Sequence, residues 1–443
     1  MKKWWMILFV YAILLHPNSM QADTLFQQAG ITSSPNPVGS GARAMGMGGA
    51  FISIADDATA ASWNPGGLIQ LEMPELSIVG AYLSKREDFS SQRHPEINNT
   101  GKANDLNINY FSAAIPFQLT LTRNAVVSLN YQRLYEFERN FNHFYDYSSL
   151  GVDLLQYKHY KQRGNIGALG LAYAFEATPR VSFGATLNIW TDTAFWMNGW
   201  EESYYEKGVG TIGGNQASIE TYINHKYSDF FGLNANIGFL WDMNRYLTLG
   251  AVLKTPFNAR MRHEYSIRQI NSSNSPVSSS FSDSEKVKLR MPPSYGIGLA
   301  WRVSDALSFD LDVYRTRWCD YFFIDSDGNE FSPIDGRPKS DADAKNTTQV
   351  RFGGEYLIIN PNRNIVIPIR AGMFYDPEPS HQRLRRFYGF AVGSGIAYRR
   401  IIFDMAYELR WSRDIDSGNL IASSRCDTTQ HRLLASLIIH FGT

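Results

Sequence analysis

Beyond its first fifteen residues the chain has no apolar run that approaches the ~18 residues of a membrane-spanning helix. That absence excludes a helical membrane bundle. Net charge is also absent, with 42 basic residues against 42 acidic ones, so no nucleic-acid partner is expected. No Pro/Ser linker, charge block or low-complexity tract divides the 443 residues, although a soluble chain of this length would be expected to split into domains. Catalytic signatures are missing too. There is no G-x-S-x-G elbow, and the nine histidines include no H-E-x-x-H pair. GSGARA (39–44) fits a loose G-x-G-x-x-A pattern, but SSPNPV before it is no strand, so no nucleotide site follows. No enzyme activity, cofactor or metal is expected, and Asp56-Asp57 reads as helix capping. Cysteine is scarce. Cys319 and Cys426 both fall in connections between strands, which leaves open a loop–loop disulfide or two thiols.

What is present starts with a leader. Lys2 and Lys3, an apolar run from Trp4 to Leu15 and a polar stretch ending at Ala22 make residues 1–22 a secretory signal peptide. Thereafter the dominant pattern is alternation with period two. In LSFDLDVYRTRW, Leu307, Phe309, Leu311 and Val313 alternate with Ser308, Asp310, Asp312 and Tyr314. A strand sends successive side chains to opposite faces, so one face is oily and the other wet. VSFGATLNIW (181–190) and FDMAYELRW (403–411) behave alike. Carboxylates and arginine on the inner face suit a polar lumen and suit a dry sandwich core badly.

Fourteen such segments occur, near 75–83, 106–116, 125–135, 165–175, 181–190, 231–241, 247–254, 293–301, 307–315, 349–357, 365–374, 388–397, 401–411 and 431–441. Each is about the length a tilted membrane strand requires. Their connections alternate between long and short. The long ones lie near 84–105, 136–164, 191–230, 255–292, 316–348, 375–387 and 412–430; turns such as ATPR, DMNR and VSDA make the short ones. An even-stranded outer-membrane barrel has this asymmetry, whereas a sandwich or propeller has no reason for it. Tyr131, Tyr135, Phe137, Trp190, Trp241, Trp301, Trp318 and Trp411 stand near strand ends, where interfacial aromatic belts are expected. The last strand ends at Phe441, followed by Gly442 and Thr443.

The fold class is therefore an all-β transmembrane barrel of 14 antiparallel strands (73–443) in a Gram-negative-type outer membrane. Residues 23–72 have no place in its wall. Within them GARAMGMGGAFISIADDATAASWNPGGL (41–68) is rich in glycine and alanine, which let backbones approach closely. It is expected to fold back as a small N-terminal hatch inside the lumen, with a short helix over Asp56–Ser62 capped by Asp56 or Asp57 and ended at Asn64-Pro65.

That stretch resembles the N-terminal hatch of the long-chain fatty acid and aromatic hydrocarbon transporters of the outer membrane (the FadL/TodX-like, OMPP1 family). Similarity recurs in order at LKTPFNARMRHEYS (253–266), MPPSYGIGLAWRVSDAL (291–307) and VIPIRAGMFYDPEPS (366–380). One departure is visible: Asn64-Pro65 is followed by Gly66 where the family's motif has alanine. The resemblance implies uptake of long-chain fatty acids or other hydrophobic small molecules, captured by outer loops and held in an internal pocket. Release would be passive, past the hatch or through a lateral gap made by a kink in the third strand. AVVSLNYQRLY (125–135), the third strand here, has no glycine or proline to mark a kink.

Candidate ligand-binding residues in the hatch are Phe51, Ile52, Asn64, Pro65 and Gly66. In the third outer loop they are Phe195, Trp196, Met197 and Trp200, an apolar cluster of the kind that marks a binding surface. The expected partners are a hydrophobic ligand and outer-membrane lipid, with the barrel monomeric. Two other readings are a FadL-like barrel that holds partner proteins in a secretion machinery, and an outer-membrane hydrolase.

Overall fold

The computed structural model describes residues 39–120, 123–149, 151–193, 196–272, 277–380, 384–417 and 424–442. The proposed leader, residues 23–38 and Phe195 lie outside them. Among the described residues two short helices come first, α1 (Ala42–Gly46) and α2 (Ala60–Trp63), then a 3₁₀ segment at Pro65–Gln70. The strands are β1 (Glu75–Ser90), β2 (Asn99–Thr120), β3 (Arg123–Glu136), β4 (Arg139–Ser149), β5 (Val152–Thr178), β6 (Val181–Trp190) and β7 (Gly199–Ile212). There follow β8 (Asn215–Asp242), β9 (Leu247–Lys254), β10 (Phe257–Ser272), β11 (Val277–Met291), β12 (Ser294–Ser304) and β13 (Leu307–Thr316). The last are β14 (Phe322–Ile324), β15 (Glu330–Phe331), β16 (Thr347–Asn360), β17 (Ile365–Tyr375), β18 (Tyr388–Tyr398), β19 (Ile401–Asp416) and β20 (Arg425–His440).

Fourteen of these close a ring of antiparallel pairs. It runs β1, β2, β3, β5, β6, β8, β9, β12, β13, β16, β17, β18, β19, β20 and returns to β1 with Glu75 opposite His440. All fourteen segments read from alternation lie in the ring. β12 shows why they form a membrane wall. Tyr295, Ile297, Leu299 and Trp301 point outward and stay exposed, while Ser294, Gly296, Gly298 and Ala300 point inward. In a bilayer that outward row is solvated by lipid.

The long connections hold most of the surprises. Three of them are β-hairpin extensions. β4 pairs with β5, β7 bridges β5 and β8, and β10 bridges β8 and β11. At roughly 2.5 Å of height per tilted residue, the 27 residues of β5 rise far beyond an apolar band about 25 Å tall. Outside the bilayer the outward face meets water instead of lipid, so these segments lose the apolar/polar alternation by which the wall strands are recognised. Cys319 and Cys426 are both free thiols, one exposed and one buried on β20.

The third strand stays paired to β5 along its length but loses its pairing to β2 before its end. Its ladder with β2 runs from Thr120↔Arg123 to Tyr110↔Gln132 and stops. Beyond that point β2 is paired with β1, and β4 with β5, so among the described residues no backbone ladder joins β2 to β4. β3 also slips register against β5 between Arg133 and Tyr135, and ends at Glu136. Side chains bridge the resulting seam: Asn109 Nδ2 donates to Arg133 O at 3.2 Å, and Asn99 Nδ2 to Asn142 O at 2.7 Å. A glycine stands opposite the end of β3 on the neighbouring strand. Gly164 of β5 has φ 147° and accepts the Phe137 N–H at 2.9 Å.

Candidate functional site

Residues 39–71 sit against inward-facing groups of the ring. The small-residue composition has a direct use, because the wall meets them with glycines of its own. A Cβ on Gly184 or Gly238 would stand 2.7 or 2.6 Å from the Gly66 nitrogen, and one on Gly250 2.5 Å from Ile52 O. Gly353 and Gly372 leave the same kind of room for Met47. Contact this close brings backbone groups within reach of wall side chains, which bond them from several sides. Asp312 Oδ2 accepts from Phe51 N (2.7 Å) and Ile52 N (3.0 Å), and Ser53 Oγ donates to Asp310 Oδ1 at 2.6 Å. Tyr110 OH, Ser182 Oγ and Thr186 Oγ1 donate to the carbonyls of Ala58, Gly66 and Ala61. Arg351 Nη1 donates to Gly48 O at 2.7 Å.

The five hatch candidates therefore divide by role. Asn64 Nδ2 donates to Ile52 O and to Phe239 O of the wall, while its Oδ1 accepts the Gly66 N–H. Asn64-Pro65 thus caps a 3₁₀ segment as well as ending α2, and α2 starts at Ala60, later than expected. Asp57 bonds Thr59 N before the helix begins. Gly66 fits its niche closely: a Cβ there would lie 3.1 Å from Gly238 C. Phe51 is buried against Trp63, and Ile52 against Val252 and Tyr314. All five are packed or bonded as hatch structure.

Charged side chains surround the hatch. Arg43 pairs with Asp56 and with Glu355 (2.9 Å), and Arg370 links Glu355 (2.5 Å) to Asp404 (2.6 Å). Arg410 binds Asp376 at 3.0 Å and Glu378 at 3.1 Å. Within the hatch, burial and then the Glu75 charge push the Asp57 carboxyl up to about 7. An aspartate free in water titrates at about 3.9. The seated hatch thus keeps a proton that a solvated one releases, so seating should weaken as pH rises from about 4 to 7, by at most ~1.4 kcal/mol per unit. Hydrogen exchange at residues 55–62, corrected for intrinsic rate, is expected to be slower at pH 5 than at pH 8, and Asp57→Asn to flatten that difference.

Further from the short-turn end lies a second, apolar interior. Tyr135, Phe137, Ile166, Trp190, Trp200 and Tyr227 are all nearly inaccessible and belong to one cluster with Met261, Leu289, Met291, Trp318 and Tyr321. Phe137 stacks on Trp200 at 4.6 Å and Trp200 on Tyr227 at 4.3 Å. Tyr135, Phe137, Trp190 and Trp318, expected at the membrane interfaces, thus turn inward. Trp241 and Trp301 remain exposed. Periodicity near a strand end does not say which face an aromatic takes once the strand slips register, as β3 does.

The outer-loop candidates separate as well. Trp200 lies on β7, in the apolar cluster, and not in a loop. Trp196 leans on the membrane side of the wall, 4.1 Å from Tyr131 and 6.2 Å from Phe111. Met197 is exposed. Among the described candidates, Trp200 alone joins the interior. Sequence reasoning missed Tyr135, Phe137, Trp190 and Tyr227 as its companions; the seam beside them lies at the strand where the family resemblance implied a lateral gap. On its lumen side the seam is polar: Arg133 pairs with Asp105, and Asn107 Nδ2 donates to Glu136 at 3.1 Å. A cavity of about 50 Å³ lies between it and the hatch, lined among others by Met45, Trp63, Arg133, Glu136, Arg351 and Arg432.

The sequence profile of the outer membrane transport proteins OMPP1/FadL/TodX matches residues 24–387. Among solved structures, the P. putida toluene transporter TodX aligns with a TM-score of 0.59 at 13% identity, covering 92% of this chain and 100% of TodX. A Pseudomonas aeruginosa FadL homologue aligns with a TM-score of 0.56 at 12% identity, over 91% and 99% of the two chains. The Ralstonia pickettii toluene transporter TbuX aligns with a TM-score of 0.51 at 13% identity, over 92% and 100%. No curated protein matches the chain in sequence.

Proposed function

The chain belongs to the OMPP1/FadL/TodX family of outer membrane transport proteins, and from that premise we propose a route for its cargo. A hydrophobic small molecule, a long-chain fatty acid or an aromatic hydrocarbon such as toluene, enters from outside and rests among the rings around Trp200. It then leaves sideways through the seam between β2 and β4. Residues 23–72 act as the plug that blocks the direct way down, after removal of the leader at 1–22. Members of this family are transport channels rather than enzymes, and the chain is an outer-membrane transporter of hydrophobic molecules.

One observation carries the lateral route. The β2–β3 ladder stops at Tyr110↔Gln132, beside the strand end that supplies Tyr135 and Phe137 to the apolar interior. Straight down, by contrast, the cargo would meet the Arg43, Glu355, Arg370 and Asp404 network. An alkyl chain held in such surroundings forfeits ~0.8 kcal/mol per CH₂ of burial.

Bridging the seam tests this. Asn109→Cys with Arg133→Cys, joined by a reducible bifunctional thiol reagent in a Cys319→Ser, Cys426→Ser background, should lower cellular uptake of oleate or toluene about tenfold or more, with recovery on reduction. Unchanged uptake in the bridged barrel would move the exit to the hatch.

A further inference from the structure

We propose that the segment from Trp318 to Phe331 is a lid that closes the interior pocket with its own rings, and that Glu285 is its catch. The inference rests on the pocket reading above. Directly after β13 the chain makes one 3₁₀ turn, Trp318–Asp320, and then lays β14 on β11 through only three pairs, Lys288↔Ile324, Leu289↔Phe323 and Arg290↔Phe322. On the inner side of this strip Trp318 and Tyr321 are 1% and 2% exposed, so nearly all their ring surface is spent inside the apolar cluster. Trp318 Nε1 donates to Thr347 Oγ1 at 2.9 Å, which fixes the indole there. Phe323 stands edge-on to both Tyr227 and His263, at 6.3 Å from each.

Towards its far end the strip is held by polar bonds. Ser326 donates through N (3.3 Å) and Oγ (2.8 Å) to Glu285 Oε2. The other oxygen, Oε1, lies 3.1 Å from His263 Nδ1, and His263 Nε2 lies 2.7 Å from His225 Nδ1. With both imidazoles neutral the chain has one consistent direction: His225 Nδ1–H donates to His263, and His263 Nδ1–H donates to the carboxylate. His263 is itself stacked face to face on Tyr227 at 4.5 Å and 3°. Glu285 is thereby held by the wall and holds the lid. Glu330 adds a second fastening, to Arg290 Nη2 at 2.8 Å and to Lys339.

Three backbone pairs form a weak hinge, because few hydrogen bonds must be exchanged for water when it opens. The larger barrier to opening is the exposure of an indole and a phenol ring to water. A hydrophobic molecule that takes their place removes much of that barrier, so admission is an exchange of the protein's rings for the cargo. The space concerned suits a ligand of one or two rings, or a bent acyl chain of similar bulk.

A disulfide tests the lid without touching the pocket. Lys288 and Ile324 are cross-strand partners, and such Cα pairs lie about 4.5–5.5 Å apart, within the disulfide range. Lys288→Cys with Ile324→Cys, in a Cys319→Ser, Cys426→Ser background of the full chain, is to be mixed with cis-parinaric acid, a fluorescent fatty acid. Association should be about tenfold slower or more when oxidised and return to the wild-type rate on reduction. Glu285→Ala should speed association by about tenfold, the loss of bonds to one charged group. An oxidised barrel that takes up the probe at the wild-type rate overturns the lid while leaving the pocket standing. Absence of probe binding in both the reduced variant and the wild type overturns the pocket and the lid together.

Discussion

Gly372→Leu is expected to leave the barrel open to water-soluble compounds that the wild type excludes. At this position even a Cβ would lie well inside contact distance of Met47 C, Met47 O and Gly48 N, all of them backbone. That backbone has nowhere to retreat, because Arg351 Nη1 holds Gly48 O at 2.7 Å. A leucine must therefore lift the segment around α1 from its seat, and the bonds that fix the hatch would strain with it. A ring of fourteen strands without its plug approaches the width of an aqueous channel. Planar-bilayer conductance and vancomycin sensitivity of cells both report the opening. Asp312→Ala gives a milder companion. It strips the acceptor from the Phe51 and Ile52 N–H groups, at about 1–3 kcal/mol for each donor left unpaired. Intermittent rather than steady conductance is the expected signature. A barrel that stays closed with leucine at 372 would mean that the hatch does not form the seal.

Trp200→Ala combined with Phe137→Ala should raise the Kd for a fatty acid or toluene about tenfold or more, since each ring contributes ~0.5–1.5 kcal/mol beyond its buried area. The two rings stack at 4.6 Å, and Trp200 continues onto Tyr227 at 4.3 Å, so together they form one continuous apolar wall. Trp301→Ala is the control. Its ring is half exposed on the outward row of β12, where it meets lipid, and affinity there should not change. Equal losses in both variants would show that binding reports general barrel stability. No loss in the double variant would place the ligand elsewhere, with Trp196 on the membrane face the next position to test.

These expectations show how unevenly the chain could be read. Asp310 and Asp312 were legible as inward residues because their strand keeps strict alternation between a lipid face and a wet face. The alanines and glycines of 41–68 announced close packing, but not its partners, since Gly184, Gly238 and Gly372 lie more than a hundred residues away. The early end of the third strand's pairing to β2 was invisible in its own sequence. Beside it Gly164 on the next strand accepts the Phe137 N–H, a relation that exists only after the two have paired. Trp196 and Trp200 are four residues apart and looked like one cluster. A strand start at Gly199 between them sends one to the membrane side and the other to the interior.

The sequence by itself determined the ring: fourteen strands, their order, the hatch ahead of them and the bilayer around them. The strands follow from local periodicity, which a lipid-facing wall imposes on each of them separately, and the hatch from the small-residue composition of the segment ahead of them. Tertiary structure decided where the wall opens, which aromatics turn inward and what covers them from outside. Each of those depends on register between strands distant in sequence, and a one-residue slip in register exchanges the two faces.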